Sequence, residues 1–327
     1  MKIGLDDYTI YSAGLKLNAI EILKKAKELG FEGVHFSTTA SFKDLSKDYL
    51  SKFKGVANDL DLYVELGMGS CNPFSDCRTS RDLNRDPRKT LRELIQVAKF
   101  VDAPVIRTFF GFSKERLFKN PSLQEQIEAT YNVLKDIKNI VEDYEIKIAL
   151  ENHLTLTSYE LRDLIERLDS EYIGICFDTG NTLILLEDPV EATKVLLPYI
   201  FTTHIKDGVI FSCREGASWV ATPIGAGMVD LTTIIKIISK FRPDVNFNLE
   251  DEANIFPVPI YNRDFIKSLD HLNVQQMVKV IKWLRFGDNL IKSGEIPCLD
   301  KPKEKDRHKV VRNRMAKNVE NIKRYFL

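Results

Sequence analysis

The chain has 327 residues, 44% of them hydrophobic and 29% charged, with 47 basic and 47 acidic side chains. Those values exclude a disordered or collagen-like chain. A formal net charge of zero gives no global field for nucleic acid or an anionic membrane. The length suits one barrel with an extension.

The first strand is predicted at Lys2–Leu5, ending at Asp6 and Asp7. Apolar residues at helical spacing follow over Leu17–Leu29, with Gly30 as the stop. Gly33–Phe36 is a second strand that contains His35, Leu45–Leu60 a helix, and Leu62–Leu66 a third strand. A loop starts at Gly67 and runs through Cys71 towards Arg85. Asp86-Pro87 is an N-cap with proline at the first helical position. Pro104–Phe110 is a fourth strand holding Arg107, and Asn120-Pro121 is expected to cap a helix that reaches Tyr144.

The most informative stretch comes next. Ile146–Leu150 delivers Glu151, and Tyr172–Phe177 delivers Asp178. Between them, Thr157 and Glu160 have capping-box spacing ahead of Leu161, Leu164, Ile165 and Leu168. That is strand, helix, strand, with an acid at each carboxyl end. Asp188-Pro189 opens the following helix, Tyr199–Ile205 is a seventh strand containing His204, and Asp230 caps a helix through Ile238. Val245–Leu249 is an eighth strand that ends in Glu250-Asp251.

About eight strand–helix units predict an α/β fold, a closed (β/α)8 TIM barrel. An open doubly wound sheet is the alternative, but the turn after Leu5 lacks GxGxxG. The barrel is expected over residues 1–258 and a C-terminal helical extension over 259–327. Phe256–Pro259 reads as an extended linker. Val274–Trp283 reads as a helix that closes the barrel, Gly294–Lys305 as turn-rich, and His308–Leu327 as a basic helix with an apolar face through Phe326.

Cys71, Cys77, Cys176, Cys213 and Cys298 form no CxxC pair, which points to reduced thiols rather than a disulfide framework or a cysteine-bound zinc. The N-terminus lacks the apolar run of a signal peptide, and no apolar stretch is long enough to span a bilayer. A soluble cytoplasmic protein is expected, with no membrane or nucleic-acid partner; a homo-oligomer is left open.

The carboxyl ends of the last four strands offer Glu151, Asp178, His204 and Glu250. In a parallel barrel these ends converge on the mouth where chemistry is placed. Three carboxylates there would repel one another without a cation. Oxygen-rich coordination with one histidine suits Mn2+, Mg2+ or Co2+, and accommodates Fe2+ or Zn2+.

The motifs ALENH, CFDTGN, THIKD, PIGAG-MVDL and NLED, in this order, resemble the xylose-isomerase-like TIM-barrel superfamily. This group contains sugar and sugar-phosphate isomerases and epimerases and the type IV apurinic endonucleases. The resemblance covers Met1 to Asp251. It implies a divalent metal held by Glu151, Asp178, His204 and Glu250, with Glu151 and Glu250 as an acid/base pair that acts on a small sugar, ketose or sugar acid through a cis-enediolate. Many family epimerases carry a substrate-binding histidine three residues after the strand-six aspartate; this chain has Asn181 there, so His153 or His35 would supply an imidazole. The additional ligands of the three-metal endonuclease centre are missing, which argues against DNA repair.

Further roles are open at the residue level. Arg107 and Lys206 could hold a substrate anion or make ion pairs. Asp207 could orient His204, the GxG at Gly225 and Gly227 could approach an anion or simply turn, and Glu65 and Asn152 could lie in an outer shell. A metal-dependent lyase acting on a 3-oxo sugar acid, by decarboxylation or dehydration, is the alternative on the same site. A non-catalytic sugar-binding barrel is the third reading.

Overall fold

The computed structural model describes residues 1–76, 86–214, 216–296 and 304–325. Cys77, Cys298 and Phe326 lie outside the described residues, as do most of the loop running to Arg85 and part of the turn-rich Gly294–Lys305 segment. The strands in chain order are β1 (Ile3–Asp6), β2 (Gly33–Phe36), β3 (Tyr63–Ser70), β4 (Val105–Phe109), β5 (Lys147–Glu151), β6 (Ile173–Asp178), β7 (Ile200–Ile205), β8 (Asp207–Cys213), β9 (Gly216–Thr222), β10 (Phe247–Leu249) and β11 (Ile255–Val258). Eight of them close a barrel in the order β1-β10-β7-β6-β5-β4-β3-β2. Its pairs are all parallel. The (β/α)8 expectation holds, with additional C-terminal helices at Val274–Ser293 and Glu304–Arg324.

Helix starts follow the chemistry of their caps. Asp86 and Asp188 accept N–H groups ahead of Pro87 and Pro189, and Thr157 forms its capping box with Glu160. One cap differs from expectation. Ser122, not Asn120, caps the helix Leu123–Lys135 through a box with Glu125, and a second helix, Lys138–Tyr144, continues from it. A serine followed at the third position by glutamate satisfies two orphan donors at once, which asparagine before proline does not do here.

Parallel register sets the height of each strand end. Asp178 stands opposite His204, and His204 opposite Asn248. Below this rim, side chains two residues earlier on a strand face the same way. Thr202 donates to Glu65 over 2.6 Å, and Asn248 donates to Glu65 over 3.0 Å. A hydrogen-bonded polar layer therefore underlies the mouth, and Glu65 belongs to it.

Two expectations about the later chain change. Phe256–Pro259 is not a linker: Ile255–Val258 pairs antiparallel with β9, which pairs with β8, making a separate three-stranded sheet. The helix Val274–Ser293 does not close the barrel; β1 and β10 do that. The helix lies on β8 instead. Gly287 makes the close approach possible, because a Cβ there would collide with the Ile210 carbonyl. The terminal helix buries Val311, Met315, Val319 and Ile322, a single stripe at helical spacing. No helix among the described residues is long and apolar enough to cross a membrane.

Candidate metal centre

Glu151, Asp178, His204 and Glu250 meet at the carboxyl end of the barrel. Each offers one ligand atom, and those atoms lie within 4.8 Å of one another. All four side chains are buried. His204 Nδ1 is 2.8 Å from Glu250 Oε2 and 3.6 Å from Glu151 Oε1. Glu151 Oε2, Asp178 Oδ2, His204 Nδ1 and Glu250 Oε2 are buried without a hydrogen bond of normal geometry. Their near neighbours are charged side chains, and the convergence of so many acceptor atoms fits a further cation. Three carboxylate oxygens and one imidazole nitrogen are a donor set for a divalent metal.

The backbone holds the ligands in place. Asn152 clamps β6: its Oδ1 accepts from the Asp178 N–H over 2.6 Å, and its Nδ2 donates to the Asp178 carbonyl over 2.8 Å. Asp178 Oδ1 accepts from the N–H groups of Gly180 and Asn181, which leaves Oδ2 to face the cluster. Asn181 Nδ2 donates to Glu151 Oε1 over 3.1 Å.

Two cations balance part of the charge. Arg107 ion-pairs with Glu151 Oε2. Lys206 Nζ is 3.1 Å from Asp178, 3.0 Å from Glu250 and 3.1 Å from Glu252. Burial alone would lift the Glu151 carboxyl, but Arg107 and His204 outweigh it and hold the group well below the usual carboxylate range. Burial likewise disfavours the Lys206 ammonium, and its carboxylate partners reverse the sign and keep it charged. Burial pushes Asp178 up to about 7 against the pull of Lys206, with Glu250 and Glu151 adding to the push. The acids are too crowded to share their charge comfortably without a further cation.

Asp6, which the strand-end reasoning passed over, stands behind His204. Its Oδ2 is 3.4 Å from His204 Nε2 and 2.5 Å from His35 Nδ1. His35 is fully buried, and this contact lies on the side of His204 away from Nδ1. The signal is in the sequence: Asp6 ends β1, as Glu151 and Asp178 end β5 and β6.

A cavity of about 280 Å³ opens over the cluster, lined among others by Arg107, His153, His204, Glu250 and Phe109. His153 Nδ1 lies 2.7 Å from the Gly111 carbonyl, and a carbonyl only accepts, so Nδ1 carries the proton. The ring sits between Phe109 and Phe112, at centroid distances of 4.6 and 4.9 Å. Burial lowers the His153 pKa, so this imidazole presents a neutral Nε2.

Asp207 has a different task from the one expected. It does not orient His204. Its carboxylate accepts the N–H groups of Gly208, Gly225, Gly227 and Val229 over 2.8–3.2 Å. The GxG turn thus gives N–H groups to Asp207 rather than to a ligand, and a Cβ at Gly227 would strike that carboxylate.

Comparison with known proteins agrees with this architecture. The chain is 25% identical over 256 residues to the 3-oxo-isoapionate decarboxylase of Pectobacterium atrosepticum, a match spanning 75% of this chain and 84% of that one. A crystal structure of a D-tagatose 3-epimerase-like protein superposes with a TM-score of 0.60 at 21% identity, covering 86% of this chain and 99% of the other. That of a 3-keto-D-glucoside 4-epimerase from E. coli gives 0.59 at 15% identity, covering 88% and 99%. At these identities the solved structures carry the fold. Residues 23–282 match the family as a whole, and the chain belongs to the xylose isomerase-like TIM barrel family.

Proposed function

We propose that the protein is a divalent-metal-dependent isomerase or epimerase of a small sugar, ketose or sugar acid. The observation that carries this reading is the pair Glu151 and Glu250. Both are buried at the ligand cluster, and each is held ionised by its own cation, Arg107 for one and Lys206 for the other. When bound, a divalent ion (Mn2+, Mg2+ or Co2+ before Fe2+ or Zn2+) would polarise a substrate carbonyl as a Lewis acid. One glutamate takes the proton from the carbon beside the carbonyl. The other returns a proton, to the opposite face for epimerisation or to the neighbouring carbon for isomerisation. His153 Nε2 accepts from a substrate hydroxyl, Asn181 holds Glu151 in position, and the apolar rings of Phe109 and Phe112 keep the imidazole fixed.

One observation favours a second reading, a lyase acting on a 3-oxo sugar acid. Of the two glutamates, Glu250 lines the cavity with Arg107, while Glu151 lies behind the guanidinium. A single base lining the cavity with a cation beside it suits loss of carbon dioxide, and one relative at 25% identity is named a decarboxylase.

The test is to incubate metal-loaded protein in D2O with ketoses and 3-oxo sugar acids. Deuterium in an unbroken carbon skeleton supports isomerisation or epimerisation, and release of carbon dioxide supports the lyase. Glu151→Gln is expected to slow carbon deuteration by about 10²–10⁴-fold, the usual weight of a proton relay, with substrate binding largely kept. Purified protein that neither holds nor responds to divalent metal would sink both readings.

A further inference from the structure

A second cavity, of about 450 Å³, adjoins the one over the metal ligands. Tyr8, Ser37 and Thr38 line both. Tyr8 follows β1, and the two hydroxyl residues follow β2, so both cavities open on the carboxyl rim of the barrel. They meet at shared side chains rather than being separated by a wall of core.

The walls of the second cavity are of two kinds. Tyr11 and Tyr8 stack, with ring centroids 5.8 Å apart and planes at 25°. Tyr11 is 65% exposed, unusual for a large aromatic side chain, and it lines this cavity with half-buried Leu15 and Leu17. Polar side chains line the same cavity. Asp7 Oδ1 accepts from the Ser37 N–H over 2.8 Å, and Asp7 Oδ2 accepts from the Ser41 hydroxyl over 3.2 Å. An aromatic platform in one cavity with a carboxylate and hydroxyls matches a pyranose ring, whose C–H face is apolar and whose rim donates hydrogen bonds.

We propose that this cavity is a second sugar subsite, and that the substrate is a glycoside. The reacting sugar sits over Glu250 and His204. The sugar joined to it through the glycosidic oxygen passes Tyr8 and lies against Tyr11. The proposal rests on the reading of the metal centre as a site for a small sugar, and it adds the substituent which that sugar carries. Each cavity is near or above the lower end of the ~300–1,000 Å³ usual for small-ligand sites, which suits one ring apiece.

The experiment measures binding, with full-length Mn2+-loaded protein, of a panel of disaccharides and the methyl glycosides of their reacting sugars. Calorimetry gives the affinities. At least one disaccharide is expected to bind about tenfold more tightly than its methyl glycoside, the size of gain one stacked ring supplies. Tyr11→Ala, at an exposed position, is expected to remove most of that gain and leave the methyl glycoside unchanged. Leu17→Trp, which fills the cavity, is expected to do the same by exclusion. The proposal is overturned when no disaccharide gains over its methyl glycoside, when neither variant reduces the gain, or when the gain appears only with alkyl or aryl glycosides. Failure of the metal-centre reading looks different: wild-type protein then binds neither Mn2+ nor any methyl glycoside.

Discussion

Asp6 Oδ2 stands between two imidazoles, at 2.5 Å from His35 Nδ1 and 3.4 Å from His204 Nε2. Its other oxygen accepts from the Tyr8 N–H and the Ser37 hydroxyl, each over 2.8 Å. A carboxylate so fixed on one side can fix the tautomer of His204 on the other, leaving Nδ1 free as a ligand atom. Outer partners of ligand histidines are typically worth 10–100-fold in metal affinity. Asp6→Ala is therefore expected to weaken Mn2+ binding by roughly that factor, measured by competition with a chelating dye; an unchanged affinity would leave Asp6 only a structural part. The clustering of Glu151, Asp178, His204 and Glu250 is readable from sequence because each obeys one local rule, an acid or imidazole within a residue of a strand end. Asp6 obeys the same rule. Its partner, though, is on β7, and only barrel closure through β10 brings the two together. Arg107 and Lys206 were visible as cations near the mouth, but ion-pair partners depend on rotamers that no spacing encodes.

The turn carrying Gly225 and Gly227 owes its shape to Asp207, which takes four backbone N–H groups. Asp207→Ala strips the acceptor from all of them. A buried donor left unpaired costs about 1–3 kcal/mol, so a loss of about 3 kcal/mol or more is expected in urea unfolding. Metal affinity should be nearly unaffected, and a large fall in it would restore the idea that Asp207 orients His204. Glu187 makes a second link between elements: both its oxygens accept from the Ser158 N–H at the start of the helix Ser158–Leu168. Burial pushes its carboxyl up from 4.5 to about 7. The folded state therefore keeps a proton that the unfolded state has released, and stability falls as pH rises from about 4.5 to about 7. At about 1.4 kcal/mol per pH unit this is on the order of 3 kcal/mol, and Glu187→Gln should remove it from a pH series of unfolding curves. An equal slope in the variant would assign the dependence to other groups. The hairpin of β8 and β9 escaped the sequence reading for a related reason. It begins one residue after β7 ends, and Asp207, its first residue, looked like part of the THIKD strand end.

At the scale of the whole molecule, the terminal helix is tied to the last barrel strand. Arg314 Nε donates to Asp251 Oδ2 over 2.8 Å, and Asn318 Nδ2 donates to the same oxygen over 2.7 Å. Asp251 is 2% exposed and adjoins the ligand Glu250. Removing one partner of a buried pair typically costs about 3–5 kcal/mol, so Arg314→Ala should lower the midpoint of thermal unfolding clearly, at the lower end of that range because Asn318 remains. A midpoint unmoved by the change would show the helix to be held by its apolar stripe alone. The barrel was legible from alternation of strand and helix; the three-stranded sheet beside it was not, because two prolines, Pro257 and Pro259, in a short run read as a linker. The two cations at the mouth carry one last implication. Glu151, Asp178, Glu250 and Glu252 are four carboxyl groups at the mouth, and Arg107 and Lys206 are cations paired with them. A divalent ion would add positive charge where the acids still crowd one another. The polypeptide itself thus supplies part of the countercharge at the mouth, and the barrel is expected to keep its fold when a chelator is present.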